Sequence, residues 1–97
     1  MLISFGDRAT EDLFHGRAAR GARRFPASVI PAALRKMDML NAAASLGDLR
    51  SPPGNHLEAL KGTLKGLFSI RVNEQWRLIF KWNAGAVSAV RLLDYHE

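Results

Sequence analysis

The last third of the chain alternates between apolar and polar residues with a period of two, and this pattern constrains the fold more than any other feature. It comprises the runs LFSIRV (67–72), QWRLIFKW (75–82) and VSAVRLL (87–93), which the turn sequences NE and NAG separate. Side chains two apart on a strand share a face, and short links of this composition are typical of hairpins. The sequence therefore predicts an antiparallel meander of three strands, and LEALKG (57–62) adds a shorter fourth strand before them.

The same alternation gives the predicted sheet two faces of different character. One face is apolar and predicts burial against helices, so Trp76 and Trp82 are interpreted as core residues rather than as platforms for nucleobases. The opposite face is polar and cationic over most of its length. The apolar face comprises Phe68, Ile70, Val72, Trp76, Leu78, Phe80 and Trp82, and the opposite face comprises Leu67, Ser69, Arg71, Gln75, Arg77, Ile79 and Lys81.

A short strand and two helices are predicted before the meander. LISF (2–5) is the strand, Asp7 caps a first helix that runs through RATEDLFH, and Gly16 ends it. Ser28 is expected to cap the second helix, and Gly47 is expected to end it. Apolar residues recur along this second helix at spacings of three and four, which is typical of a helix with one buried side. Pro31 falls in the first turn of this helix. The apolar stripe comprises Ile30, Ala33, Leu34, Met37, Leu40 and Ala44.

Together these elements predict one α+β domain spanning residues 1–97. Its order is strand, helix, helix and then an antiparallel sheet of three or four strands, with both helices packed on one sheet face. The arginine-rich stretch RAARGARR (17–24) is expected to be an exposed connection or a frayed helical turn, and LRSPPGNH (49–56) is expected to be a loop. A chain of 97 residues is the size of one small domain.

The charge of the chain is strongly basic, with a net value of +5, and ten of its fourteen cationic residues are arginine. The planar guanidinium suits phosphate, so a nucleic acid partner is favoured over a charge that serves solubility alone. The absence of cysteine excludes disulfides and thiolate metal sites and is typical of cytoplasmic proteins. No apolar run approaches the roughly 20 residues that span a bilayer, so no membrane association is expected.

Candidate reactive groups gather on the polar side of the predicted sheet, which is expected to stay open together with the strand ends. Cations and proton-transferring groups without the spacing of metal ligands indicate metal-free cleavage of a phosphate ester. In RNA, a base activates the ribose 2′-OH to attack the adjacent phosphorus, cations stabilise the developing charge, and an acid protonates the leaving 5′-oxygen. The groups are Lys61, Lys65, Arg71, Arg77, Asp94, Tyr95 and His96.

Each of these groups also has a plainer interpretation. Arg77 and Lys81 fit the solvated face of a strand, and Asp94, Tyr95 and His96 fit an ordered tail. Residue spacing alone leaves both alternatives open.

Several stretches of the chain, taken together, resemble the HigB toxins of bacterial toxin–antitoxin systems, within the RelE/ParE superfamily. They are ISF near the start, LGDL (46–49), PPGNHLEALKG (52–62), KGLFSIRVNEQWRLIF (65–80) and DYH (94–96). The resemblance implies a RelE-like fold and a ribosome-dependent endoribonuclease that cuts mRNA in the ribosomal A site. It also implies a HigA-like antitoxin with a helix-turn-helix, and no metal, ATP or other cofactor.

The resemblance further assigns catalytic roles to five residues. The family's sheet lysine and sheet arginine correspond to Lys61 and Arg77, which would stabilise the pentavalent phosphorane. Its terminal acid, phenol and imidazole correspond to Asp94, Tyr95 and His96. His96 would be the general acid or base, Asp94 would orient nearby groups, and Tyr95 would stack on a base or assist proton transfer.

Three more residues, Arg71, Lys65 and His56, are expected to contact RNA or its phosphates. The resemblance is incomplete here, because some members carry a histidine three residues before the sheet lysine, where this chain has Glu58. His56 lies two residues earlier and would share a strand face with Glu58, so it is expected to substitute from about 7 Å along the strand.

Two other functions stay open on the sequence. A gyrase-inhibiting toxin of the ParE kind shares the fold but not the DYH ending. A non-catalytic RNA-binding module would use the same cations to hold phosphate without cutting it.

Overall fold

The predicted meander forms one antiparallel sheet. In a computed structural model of the chain, which describes residues 1–17 and 25–95, the strands are β1 (Glu58–Ala59), β2 (Phe68–Arg71), β3 (Trp76–Asn83) and β4 (Ala86–Asp94). They lie in the order β1-β2-β3-β4, each antiparallel to its neighbours. The four-stranded meander is therefore confirmed, including the short strand within LEALKG.

Both predicted turns of the meander form for local reasons. Asn73 Oδ1 accepts hydrogen bonds from the backbone N–H groups of Gln75 at 2.8 Å and Trp76 at 2.7 Å, which closes the turn between β2 and β3. Between β3 and β4, Ala84 and Gly85 adopt φ values of 50° and 88°. Positive φ at both central residues is what a two-residue hairpin turn of type I′ requires.

The predicted first strand over residues 2–5 forms only in part. This segment pairs with β4 in parallel at two isolated bridges, at Leu2 and Phe5. The register cannot continue between them, because Ala89 of β4 turns into the left-handed region at φ 53°. The Ser4 hydroxyl then accepts the Ala89 N–H at 2.9 Å in place of a backbone carbonyl.

The first helix, α1 (Arg8–Phe14), begins and ends as predicted. Asp7 Oδ1 accepts the Thr10 N–H at 2.8 Å, which satisfies a donor that the first turn leaves free. Gly16 follows the helix at φ 70°. The hydroxyl of Thr10 accepts the Leu92 N–H at 3.0 Å, so α1 is attached directly to β4.

The second helix, α2 (Ile30–Ala42), is shorter than predicted. Its N-cap is Val29, which makes no side-chain cap, so the expectation of Ser28 as the cap was wrong. Pro31 lies in the first turn as expected. The helix ends five residues before Gly47, the predicted end.

A competing local structure explains why α2 ends early. The Asp48 carboxylate accepts the backbone N–H groups of Ala44 at 2.9 Å and Ser45 at 3.0 Å. Ser45 and Asp48 thereby form a capping box for a 3₁₀ helix, Leu46–Arg50. Ala44 is consequently exposed, although the predicted stripe included it, and the neighbouring Ala43 is buried instead.

Both helices pack on one face of the sheet, as predicted. Trp76 and Trp82 are half-buried against this core, which confirms their interpretation as packing residues. Full burial of a Val, Leu, Ile, Phe or Met side chain typically contributes about 1.5–3 kcal/mol to stability. The core comprises Ala9, Leu13, Phe25, Val29, Ala33, Met37, Leu40, Ala43, Leu49, Ile70, Leu78, Phe80, Val87, Val90 and Leu92.

The opposite face of the sheet is not open throughout, contrary to expectation. Lys81 is exposed there, but Ser69, Arg77 and Ile79 are all buried. The plainer interpretation of Arg77 as a solvated strand residue is therefore wrong.

The predicted exposed connection, residues 17–24, lies mostly outside the described residues. Its first residue, Arg17, is exposed and pairs with the Asp12 carboxylate at 3.1 Å. No helix within residues 1–17 and 25–95 is both long and apolar enough to cross a bilayer.

The Asp48 cap makes stability depend on pH. The backbone N–H groups of Ser45 and Ala44, followed by the Ser45 hydroxyl, hold the pKa of the Asp48 carboxyl below its usual range. A group whose pKa is lower in the folded state stabilises the fold above its unfolded pKa, about 3.9. That stabilisation is lost as the pH falls through the lower, folded pKa.

We therefore expect Asp48→Asn to lower the thermal unfolding midpoint at neutral pH and to change it less in acid below the folded pKa, where the wild-type carboxyl is protonated too. Scanning calorimetry of both proteins across this range measures the difference. Asp38→Asn, at an exposed position of α2, is the matched control and should follow the wild type. An equal loss for Asp48→Asn at both pH values would contradict the capping role.

Candidate functional site

Arg77 is the centre of the candidate site, and it is buried. Its side chain is 7% exposed, although it leaves the sheet on the face that the helices do not cover. Nη1 donates to the Ser69 hydroxyl at 2.6 Å and to the His56 carbonyl at 3.3 Å. Nη2 donates to Glu58 Oε1 at 3.1 Å. One guanidinium thus joins β1, β2, β3 and the loop before β1.

The register of the strands brings these groups together. Glu58 lies opposite Ser69 across β1 and β2, and Arg71 lies opposite Arg77 across β2 and β3. Opposed side chains share a face, and Ser69 is the diagonal neighbour of Arg77. The Glu58 side chain is 53% exposed. The ion pair therefore has a buried cationic end and an anionic end that water reaches.

The end of β4 completes the site. The Tyr95 ring lies over Arg77, with its centroid 5.4 Å from Cζ, a distance at which the ring attracts a guanidinium. The Tyr95 N–H donates to the Gln75 carbonyl at 2.6 Å, which attaches this residue to β3. The expectation that the chain end lies beside the sheet cations is thus confirmed for Tyr95.

Asp94 takes a different direction from Tyr95. It lies opposite Trp76 in the register of β3 and β4, which places it on the side of the sheet that the helices cover. Asp94 Oδ2 accepts a hydrogen bond from Gln75 Nε2 at 3.0 Å. His96 lies outside the described residues, so its role stays a prediction.

The remaining predicted cations differ in how closely they approach this centre. Arg71 is half-buried beside Arg77. Lys61 and Lys65 are exposed and flank a 3₁₀ turn, Gly62–Leu64, after β1. Neither lysine forms an ion pair with any residue that the structure describes.

The expectation that His56 shares a strand face with Glu58 was wrong. His56 precedes β1 and adopts a left-handed backbone conformation, φ 45° and ψ 56°, at the end of the 3₁₀ turn Pro53–Asn55. Its carbonyl, rather than its imidazole, meets Arg77. The loop therefore supplies a backbone acceptor at this point.

Asn55 is a residue that sequence reasoning missed. It is fully buried, and Nδ2 donates to the carbonyls of Leu49 at 3.1 Å and Ser51 at 3.4 Å. Its Oδ1 accepts a hydrogen bond from Lys36 Nζ of α2. Burial, followed by the charge of Arg35, lowers the pKa of Lys36. These bonds hold the loop at the position where its next residue reaches Arg77. In the sequence, Asn55 signals only a turn.

Glu58 was also missed as a member of the site. Its sequence signal was present, since it is the one acid in LEALKG. The sequence did not show which cation it would meet. Among the described residues, no three histidine, aspartate or glutamate side chains come together as a metal site would require.

The family of the chain follows from comparison with known proteins. Residues 4–96 match the family described as the RelE-like toxin of the type II toxin–antitoxin system HigB. The chain belongs to the HigB family. Toxin HigB-1 of Vibrio cholerae is 43% identical over 97 residues, which cover 100% of this chain and 99% of that protein. An uncharacterized protein of Haemophilus influenzae is 42% identical over 73 residues, which cover 75% of this chain and 71% of that protein.

Solved structures agree with this family at the level of the fold. Two structures of the YoeB–YefM toxin–antitoxin complex from Staphylococcus aureus, one of them described as heterotetrameric, each match 100% of this HigB chain and 99% of theirs. Each has a TM-score of 0.61 at 16% identity. The resemblance to HigB and the RelE-like α+β fold are therefore both confirmed, and the chain is a type II toxin.

The position of the loop in this toxin should depend on Asn55. Asn55→Ala leaves the Leu49 and Ser51 carbonyls and the Lys36 ammonium without their partner, and unsatisfied buried groups each cost about 1–3 kcal/mol. We expect the free energy of unfolding in urea denaturation to fall by at least the cost of one such group, about 1–3 kcal/mol.

Asn83→Ala, at the exposed end of β3, is the control for this change and should unfold near the wild-type midpoint. Equal midpoints for Asn55→Ala and the wild type would show that water replaces the amide at no cost.

Proposed function

We propose that this toxin is a ribosome-dependent endoribonuclease that cuts mRNA in the ribosomal A site. The observation that carries the proposal is the Arg77 centre, in which a buried and oriented guanidinium lies between a half-exposed carboxylate, Glu58, and a phenol ring, Tyr95. Preorganised cations at developing charge are among the largest contributions to catalysis. Membership in the HigB family supports the same function.

The reaction that this centre suits is attack of the ribose 2′-OH on the adjacent phosphorus without a metal. A base removes the 2′ proton, the P–O5′ bond breaks as the cyclic phosphate forms, and an acid protonates the leaving 5′-oxygen. Arg77, Arg71 and Lys61 would stabilise the charge on the phosphoryl oxygens. His96, Tyr95 and Glu58 are the candidates for the two proton transfers, and Asp94 would orient a neighbour.

The hydrogen bonds of Arg77 define how it would act. Ser69, the His56 carbonyl and Glu58 occupy part of its donor fork. The remaining N–H groups suit a phosphate oxygen, because arginine is always charged and its fork is rigid. A phosphate that approaches Arg77 would also lie near the water-accessible Glu58 carboxylate, so charge stabilisation and proton transfer would occur side by side.

The ribosome would supply what this small site lacks. The site is small and has few catalytic groups, so the substrate would have to be held in place by another body. Fixing a substrate in a reactive geometry contributes up to about 7–11 kcal/mol to catalysis. His56, Lys65 and Arg71 would contact RNA phosphates around the site. The ribosomal target would place the toxin in the cytoplasm.

An antitoxin would be the second partner. Type II toxins belong to toxin–antitoxin systems by definition of the family, and the structural neighbours are complexes of this kind. We propose a HigA-like antitoxin with a helix-turn-helix for this chain.

We expect expression of the toxin to arrest growth, and purified toxin to cut message only when translating ribosomes carry it. Primer extension on the same mRNA, with and without programmed ribosomes, measures this. Efficient cutting of naked mRNA would contradict ribosome dependence. Inhibition of purified gyrase without any cutting would support the ParE-like alternative, and ribosome binding without cutting would support the RNA-binding module.

The proton-transfer groups can be separated by substitution. Loss of a general acid or base costs roughly 10²–10⁴-fold, so His96→Ala should slow single-turnover cleavage on programmed ribosomes by at least about 10²-fold at saturating toxin. Glu58→Gln keeps an oxygen acceptor for Arg77 but has no basic carboxylate, and we expect a similar loss.

Glu74→Gln, an exposed amide substitution in the turn between β2 and β3, is the control and should cut at the wild-type rate. Circular dichroism and ribosome binding must be unchanged in all three proteins. Normal cleavage by folded Glu58→Gln would limit Glu58 to holding Arg77, and normal cleavage by His96→Ala would remove His96 from the mechanism.

A further inference from the structure

A second feature of the toxin lies at the open edge of the sheet, on the other side of β1 from the Arg77 centre. It is a cleft of about 250 Å³ that the loop before β1, β1 itself and β2 enclose. Leu46, Leu57 and Phe68 line it and are half-buried, so they present apolar surface to solvent. Arg50 and His56 lie at the same cleft and are exposed. The cleft is therefore apolar with a cationic rim.

The edge of β1 next to this cleft has backbone groups that point outward. β1 pairs with β2 on one side and is the first strand of the sheet. The Leu60 N–H donates to the Leu67 carbonyl at 2.9 Å, so the backbone N–H and C=O of Leu60 point toward β2. Backbone groups alternate in direction along an antiparallel strand, so the N–H and C=O of Ala59 face the free edge. Ala59 is exposed and also lines the cleft.

An open strand edge beside an apolar pocket is the arrangement that binds an extended peptide by strand addition. Main-chain hydrogen bonds provide affinity, and a pocket for one side chain provides specificity. We propose that the β1 edge and its cleft bind an extended segment of the antitoxin that is both acidic and apolar. An apolar side chain of that segment fills the cleft, and an acidic side chain pairs with Arg50.

Charge complementarity identifies the occupant. The chain carries a net charge of +5, and Arg50 is the cation of the cleft, so an acidic segment is attracted and a basic one is repelled. RNA is less suited to the cleft, because its half-buried lining is apolar and one rim arginine offers few phosphate contacts. The inference rests on the antitoxin partner of the proposed function and does not need nuclease activity. An antitoxin bound here leaves the outer face, with Arg77 and Arg71, uncovered.

The experiment uses the full-length toxin and, as the probe, the purified protein that the adjacent gene encodes. Arg50→Glu reverses the rim charge, and Ala59→Glu places a carboxylate in the cleft. Each should raise the Kd measured by titration calorimetry by about tenfold or more, the range over which rim charges alter association. Arg8→Glu, the same charge reversal at an exposed position of α1, and Ala59→Ser are the matched controls and should bind as the wild type does.

Hydrogen exchange supplies a second readout that a general charge effect does not move. Binding of the probe should slow exchange of the Ala59 amide, because strand addition gives that N–H a partner. The proposal is overturned if both cleft variants bind with the wild-type Kd, if the Ala59 amide exchanges at its free rate in the complex, or if Arg8→Glu weakens binding as much as Arg50→Glu.

Three further results would separate a failure of the docking site from a failure of the proposed function. Cleft variants that lose ribosome affinity while the probe binds normally would assign the cleft to RNA and refute the proposal. A wild-type toxin that does not bind the probe would refute the antitoxin partner and the docking site together. A wild-type toxin that binds the probe but cuts no message would refute the nuclease and leave the binding measurement to decide the docking site.

Discussion

The burial of Arg77 is the constraint on which the arrangement of the site depends. A guanidinium removed from water costs several kcal/mol unless its donors are satisfied. Here Ser69, Glu58 and the His56 carbonyl accept its hydrogen bonds, and the guanidinium lies over the Tyr95 ring. These partners come from three separate stretches of the chain, at 56–58, 69 and 95. Since moving any of them would leave a buried charge with fewer partners, Arg77 holds their positions relative to one another.

The loop before β1 reaches Arg77 because a second buried polar residue holds it. The loop contains short 3₁₀ turns in place of long helices or strands, so much of its backbone needs other partners. Asn55 provides them through the carbonyls of Leu49 and Ser51, and Lys36 fixes Asn55 to α2. The helix layer and the candidate site are thereby connected through polar contacts as well as through the apolar core. A substitution of Lys36 is thus expected to shift the loop that contacts Arg77, although Lys36 itself does not contact Arg77.

The strands and helices with strong periodicity could be predicted from the sequence. The points where one local structure replaces another, or where a contact depends on strand register, could not. Trp76, Leu78 and Phe80 recur with the period of two that a strand requires, and Asp7 caps the helix that follows it, so both features follow from short-range rules. Gly47 looked like the end of α2, but the sequence did not show that Asp48 would instead cap a 3₁₀ turn. The burial of Arg77 could not be predicted either, because it depends on a strand register that brings Glu58 and Ser69 beside it.

The residues of the candidate site also divide into those that could be predicted from the sequence and those that could not. The family resemblance assigned Tyr95 and Arg77 to one site, and the two side chains lie next to each other, whereas Asn55 and Glu58 make long-range contacts that no spacing encodes. The structure describes Lys61 and Lys65 as exposed and leaves His96 outside the described residues, so their catalytic or RNA-binding roles stay predictions.

The two edges of the sheet differ, and this difference bears on self-association. Residues 2–5 and the Thr10 hydroxyl cover the outer edge of β4, whereas the edge of β1 is uncovered by any described strand. A sheet with two open edges can add copies at both ends and grow into a fibre. A sheet with one open edge can pair only with one other such edge, and the isologous contact then closes. Edge-to-edge pairing between copies of this toxin would therefore end at a pair, so the protein does not polymerise along its own sheet.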